Sequence, residues 1–201
     1  MKILHVDSSV TGAKSVSRPL SKATAERLLQ LNPGAELVYR DLVNEPLRHY
    51  TAVIRMFGAE VPEGTPDQKH ELAVGKEILE EFLSADVVVV GTPMYNFSIP
   101  SQLKAWIDLL CVPGTTFRYS SAGPEGLCGG KRVVIVSSRG GLYAESSNNT
   151  QADFQEKYLK TVFGFLGITD VSVVRAEGVA YGPEAAAKAV AGAQQQIAAL
   201  Q

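Results

Sequence analysis

Short apolar runs alternate with helical patterns along the whole chain, and this alternation constrains the fold more than any other feature. The clearest run is Val87 to Val90, valine at every position. A strand that is apolar on both faces must be covered on both faces. A helical pattern follows through Leu103, Ile107 and Leu110. The same order recurs four more times. Lys2 to Val6 precedes Leu20, Thr24, Leu28 and Leu31. Glu36 to Tyr39 precedes Leu72, Ile78, Leu79, Phe82 and Leu83. Val133 to Val136 precedes Phe154, Tyr158, Val162, Phe163 and Leu166. Val171 to Val174 precedes an Ala-rich helix, Pro183 to Leu200. This predicts an α/β chain with a parallel sheet, right-handed crossovers and helices on both faces. A doubly wound five-stranded parallel sheet of order 2-1-3-4-5 is the natural arrangement. The 201 residues suit a single domain, 1–201.

Punctuation supports these boundaries. Asn32-Pro33-Gly34 stops the first helix, and Thr65-Pro66-Asp67-Gln68 is a capping-box start with proline in the first turn. Residues 41 to 65 are irregular and long for such a connection. Residues 111 to 130, rich in Gly, Pro, Ser and Thr, read as a hairpin or loop excursion.

Composition removes several classes of function. Hydrophobic residues make up 45% of the chain, enough for a full core, and the net charge is -2. That charge gives no electrostatic case for nucleic acid or an anionic membrane surface. No apolar run is long enough to span a bilayer, and Met1 runs straight into a strand with no signal peptide. Cys111 and Cys128 form no CxxC pair, so a reducing, cytoplasmic location is expected. Cys111 ends an apolar helix and reads as buried; Cys128 lies in a Gly-rich loop and reads as exposed. His5, His49 and His70 are dispersed, with no metal-type spacing. No G-x-S-x-G elbow is present.

In such a fold, ligands bind beyond the carboxyl ends of the strands, near the switch in strand order. By topology three segments stand there. The first, Ser9 to Ser17, suits a phosphate: Ser9, Ser15 and Ser17 supply hydroxyls, and the following helix start supplies free amides and a favourable dipole. No G-x-G-x-x-G is present, and Lys14-Ser15 lacks the glycines of a P-loop. A phosphate monoester fits better than a pyrophosphate or triphosphate. The plainer reading is N-capping by Ser17.

The second segment, Pro93 to Pro100, suits a flat ring. Two prolines stiffen it, and Asn96 can donate and accept. Met94 and Phe97 as plugs of the sheet end are the competing reading. In the third, Ser138-Arg139-Gly140-Gly141, the glycines let backbone approach a ligand, and Arg139 can offer charge near an anionic ring. A Gly-rich turn with a surface arginine reads equally well.

Taken together, Asp7-Ser8-Ser9, Ser15-Val16-Ser17, Met94-Tyr95-Asn96-Phe97, Thr116-Phe117-Arg118-Tyr119, Ser138-Arg139-Gly140-Gly141 and Glu177-Gly178-Val179-Ala180-Tyr181-Gly182-Pro183 closely resemble the FMN-dependent NADH-azoreductases. These belong to the flavodoxin-like quinone reductases. The resemblance covers nearly the whole chain and implies a flavodoxin-like fold with one noncovalent FMN per subunit. Ser9 with Ser15, Val16 and Ser17 would hold its phosphate. Met94, Tyr95, Asn96 and Phe97 would meet the isoalloxazine, and Ser138, Arg139, Gly140 and Gly141 its pyrimidine side. It also implies a homodimer with both chains lining each site, and Tyr119 and Phe163 as pocket walls. The implied activity is transfer from NADH or NADPH to quinones and aromatic azo compounds; the need of donor and acceptor for the same ring face predicts ping-pong kinetics. An NADPH-dependent FMN reductase and a flavodoxin-type electron carrier are the alternatives.

Overall fold

The computed structural model describes residues 1–49, 51, 65–144 and 148–201. Strand β1 (Lys2–Asp7) is followed by helix α1 (Ser17–Leu31) and β2 (Glu36–Asp41). Next come α2 (Pro66–Ser84), β3 (Val87–Pro93) and α3 (Ser101–Leu110). A hairpin of β4 (Phe117–Ser120) and β5 (Gly123–Gly126) precedes β6 (Arg132–Arg139). The chain ends with α4 (Glu156–Phe165), β7 (Asp170–Glu177) and α5 (Pro183–Ala198). Most of residues 41 to 65, read above as a long irregular connection, lies outside the described residues.

The main sheet has the order β2-β1-β3-β6-β7, and every neighbouring pair is parallel. With β4 and β5 set apart as the antiparallel excursion, this is the expected 2-1-3-4-5 order. The chain forms a flavodoxin-like α/β fold.

Alternation along the central strands explains the two layers. Leu4, Val6, Val88, Val90, Val133 and Ile135 face Phe82, Leu103 and Trp106 on one side. Ile3, Val87, Val89, Val134 and Val136 face Leu20, Leu28 and Ile197 on the other. Val88, Val89 and Val90 have no solvent exposure. Each such side chain stabilises the fold by about 1.5–3 kcal/mol through burial. The edge strand β2 departs from this pattern. Leu37 and Tyr39 are 40% and 51% exposed, although α1 flanks them and Arg18 Nη1 donates to the Tyr39 hydroxyl at 3.2 Å.

The capping box at α2 forms as read from the sequence. The Gln68 N–H donates to Thr65 Oγ1 at 3.4 Å, and the Thr65 N–H donates to Gln68 Oε1 at 2.8 Å. The β4–β5 hairpin is seated by two glycines. The Cys128 N–H donates to the Leu166 carbonyl at 2.8 Å. A Cβ on Gly126 would stand 2.1 Å from the Gly167 nitrogen, and Gly167 itself has a positive φ of 89°. Only a side-chain-free backbone permits that approach.

Candidate functional site

The three segments predicted to converge do so, and hydrogen bonds join them. Pro93 and Ser138 are in register at the ends of β3 and β6, and the Met94 N–H donates to the Ser138 carbonyl at 2.8 Å. From the other side, the Tyr95 hydroxyl lies 3.4 Å from Ser9 Oγ and accepts from the Val10 N–H at 3.3 Å. Tyr95 therefore straps the serine loop to the Met94–Phe97 turn.

The serine loop is built from buried hydroxyls. Ser9, Ser15 and Ser17 are all buried. The N-cap of α1 is Val16, not Ser17, and the Arg18 N–H in its first turn donates to Ser15 Oγ at 3.1 Å. Ser17 lies within the first turn, its hydroxyl 3.3 Å from that of Ser15. The helix start leaves N–H groups without intrahelical acceptors, which favours an anion. Arg18 braces this loop, although nothing in the motif reading singled it out. Its guanidinium donates to the Ser9 carbonyl at 3.0 and 3.1 Å and bidentately to Asp41 at 2.7 Å. That pairing raises the Arg18 pKa and holds the Asp41 carboxyl below its ordinary value. Its position beside the serine motif was the available signal.

The Met94–Phe97 segment makes a tight two-residue turn. Tyr95 and Ser98 exchange backbone hydrogen bonds of 2.9 and 3.0 Å. Asn96 and Phe97, at its centre, have positive φ of 48° and 71°. Asparagine tolerates this conformation; for phenylalanine it costs about 1–2 kcal/mol. Phe97 is 52% exposed, which excludes its role as a core plug. Its ring packs edge-on against Tyr143, with centroids 6.3 Å apart.

Backbone polarity in the two facing loops is unequal. The carbonyls of Arg139, Gly140 and Gly141 accept from the N–H groups of Val179, Ala180 and Gly178. Among the described residues, the N–H groups of Asn96, Phe97, Gly140 and Gly141 have no hydrogen-bond partner. A strained turn with spare donors opposite a glycine loop with spare donors matches the polar edge of a flat heterocycle. The buried serines match a phosphate monoester. A cavity of about 690 Å³ adjoins the turn, lined in part by Val10, Tyr95, Asn96, Ile99 and Tyr158. That volume lies within the range of small-molecule sites. Burial and the nearby Asp108 push the Tyr158 pKa up to about 12, so its phenol stays protonated at neutral pH.

Three expectations are corrected, those for Arg139, Phe163 and Cys128. The Arg139 guanidinium does not face the ring position. It is fully buried among Asp153, Glu156, Glu177 and Gln155. Phe163 has no exposure and packs in the core beside Leu159 and Leu166, so it walls no pocket. Tyr119 is 74% exposed on the hairpin, edge-on to Phe117, and lies outside the cavity of its own chain, which leaves a role across a dimer open to it. Cys128 is buried at 3% exposure, and burial raises the pKa of its thiol. Among the described residues no group of His, Cys, Asp and Glu is arranged to hold a metal.

The Asp153–Gln155 segment was not singled out by sequence. The Phe154 N–H donates to the Phe97 carbonyl at 3.1 Å, so this segment backs the turn directly. Asp153, whose Oδ1 accepts from the N–H groups of Gln155 and Glu156 at 3.1 and 3.0 Å, starts α4. An aspartate just before a helical pattern was the available signal.

The fold is that of a flavodoxin-like α/β protein, with three loops joined at the carboxyl ends of β1, β3 and β6. The model of the family described as having a flavodoxin-like fold matches residues 1–200. The FMN-dependent NADH:quinone oxidoreductase of Methylorubrum extorquens (strain PA1) is 50% identical over 200 residues, covering 100% of this chain and 98% of its own. The crystal structure of azoreductase AzrA superposes with a TM-score of 0.88 at 30% identity, covering 98% of this chain and 97% of that one. An FMN-dependent NADH-azoreductase from Bacillus anthracis str. Ames Ancestor, in complex with FMN, superposes with a TM-score of 0.85 at 28% identity, covering 98% and 97%. The chain belongs to the family of FMN-dependent NADH:quinone oxidoreductases.

Proposed function

We propose that this protein binds one FMN per chain and uses it to reduce quinones, and to cleave aromatic azo bonds to amines, at the expense of NADH or NADPH. The names of the relatives favour NADH as donor. The observation that carries the reading is the meeting of buried serine hydroxyls with two loops that leave the amides of Asn96, Phe97, Gly140 and Gly141 unpaired among the described residues. That donor set fits a phosphate monoester joined to a ring with a polar edge. FMN, when bound, supplies the two-electron chemistry between pyridine nucleotide and acceptor.

The chain's own residues hold and shield the site. Ser9, Ser15, Val16 and Ser17 take the phosphate with neutral hydroxyl and amide donors. The amides of Asn96, Phe97, Gly140 and Gly141 orient the ring edge, as preorganised donors aimed at developing charge do. Met94 and Tyr95 fix the turn, and Ser138 holds it through its carbonyl. Arg139 serves from behind, through its backbone and its buried side chain. A site that admits donor and acceptor in turn would give ping-pong kinetics and parallel initial-rate lines.

A homodimer completes the site in this reading. Phe97, Phe154, Leu142 and Tyr181 are 52%, 59%, 43% and 61% exposed around the cradle. Single exposed apolar side chains are ordinary, but a group rimming one site marks an interface. In such a dimer Tyr119 would serve as a pocket wall from the partner's side. Sedimentation of the purified protein is expected to give twice the chain mass; a monomer at micromolar concentration contradicts the dimer. Among the described residues no helix is long and apolar enough to cross a membrane. A cytoplasmic site of action accords with two free cysteines.

Fluorescence titration of the FMN-free protein tests the assignment. FMN is expected to saturate at one per chain, and riboflavin, which lacks the phosphate, to bind at least about tenfold more weakly. Equal affinities would remove the serine loop from the site. No saturable binding of either would remove the flavin.

A further inference from the structure

The buried Arg139 side chain reaches every segment that grips Phe97. Its Nε donates to Gln155 Oε1 at 3.1 Å, and Gln155 Nε2 in turn donates to the Thr92 carbonyl at 3.0 Å, two residues before Met94. Its Nη2 donates to Asp153 Oδ2 at 3.1 Å and also meets Glu156. Its Nη1 lies 3.5 Å from Glu177 Oε2, which accepts from the Tyr143 N–H at 3.2 Å. Phe97 is thus held from two sides. The Phe154 N–H binds its carbonyl, and the Tyr143 ring packs on its ring. Both holding segments end on one guanidinium.

We infer that Arg139 is a positioning residue for the flavin cradle. It acts through Asp153, Gln155 and Glu177 to clamp Phe154 and Tyr143 against the Asn96-Phe97 turn, and never touches the ring. The inference rests on the flavin reading given above. A turn with phenylalanine at positive φ does not hold its shape by local preference. Something outside it must fix it, and a planar cation with donors in a rigid fork can tie three segments at once. A lysine at this position keeps the charge but not the fork. Ser138 and Gly140, on either side, carry the cradle backbone, so the same short motif supplies the donors in front and the brace behind.

Arg175 provides a matched control. It pairs with the same buried Glu156, at 2.9 and 2.5 Å, and feels the charges of Asp153 and Glu177 only through space; among the described residues it makes no hydrogen bond or ion pair with Asp153–Gln155, Tyr143 or the turn. The test compares Arg139→Lys, Gln155→Met and Arg175→Lys by FMN titration, by visible circular dichroism of the bound flavin, by near-UV circular dichroism of the FMN-free chain and by melting temperature. Arg139→Lys and Gln155→Met are expected to weaken FMN about tenfold, the scale of one lost charge-assisted hydrogen bond, and to change both spectra. Arg175→Lys is expected to lower the melting temperature and leave affinity and spectra unchanged. Gln155→Met decides the matter if Arg139→Lys does not fold. Wild-type affinity and spectra in the Arg139 and Gln155 variants, or an equal change in Arg175→Lys, overturns the inference alone. Wild-type protein that binds no FMN overturns the flavin reading, and this inference with it.

Discussion

At the scale of single residues, conformation carries as much of the site as chemistry does. Phe97 is placed at a φ of 71° and left 52% exposed, an arrangement that burial and helix or strand propensity both disfavour. Two opposing quantities fix the effect of Phe97→Gly. Relief of the left-handed strain returns about 1–2 kcal/mol. Loss of the Tyr143 contact removes about 0.5–1.5 kcal/mol. Stability of the FMN-free chain by urea unfolding is expected to change by less than about 1 kcal/mol, while the KM for a quinone rises severalfold. A large destabilisation would show that Phe97 is a core residue after all. The Arg18–Asp41 pair gives a second test, with a definite sign. Asp41 is held below its ordinary carboxylate value in the folded chain, chiefly by Arg18. Its contribution is therefore complete above the unfolded value and lost as pH falls through the depressed one. Wild type is expected to exceed Asp41→Asn by about 2 kcal/mol at neutral pH, with the gap closing only in acid. A gap that closes between pH 6 and 8 contradicts the pairing.

The residues misread from sequence share one physical cause. Arg139 stands at a strand end beside two glycines, where a charged side chain usually meets water. Its burial depends on Asp153, Glu156 and Glu177, which arrive from two later elements. Phe163 shows helical apolar spacing whether its face turns to a pocket or to the core. Spacing gives the face; only packing says what the face meets.

At the scale of elements, most of the architecture was legible. Valine runs marked β3 and β6, the Thr65–Gln68 box marked the start of α2, and Gly-rich stretches marked the loops. These signals are local, and local signals survive without a structure. The exposure of β2 and the docking of the hairpin were not legible, since both are set by distant neighbours. The hairpin yields a sharp expectation. A methyl at position 126 would meet backbone of Leu166 and Gly167 at 2.2 and 2.1 Å, and backbone cannot swing away. Gly126→Ala is expected to cost about 3 kcal/mol, a fall of roughly 6–12 °C in melting temperature. An unchanged melting curve would mean that the hairpin does not dock as described.

At the scale of the whole molecule, strand order does the assembling. Because β1 lies between β2 and β3, the loops after β1 and β3 diverge around one crevice, and β6 adds the third loop beside β3. The Ser9–Tyr95 and Met94–Ser138 contacts record that convergence in hydrogen bonds. No single motif stood apart; the topology brought three ambiguous segments together. In the proposed function this site holds a flavin that exchanges electrons with NADH and a quinone. Anaerobic mixing of the FMN-loaded protein with NADH, followed by a quinone, tests it directly by absorbance. The yellow bands are expected to bleach with one NADH per flavin and to return with one quinone. Bands that NADH leaves unchanged, or that a quinone fails to restore, would contradict it.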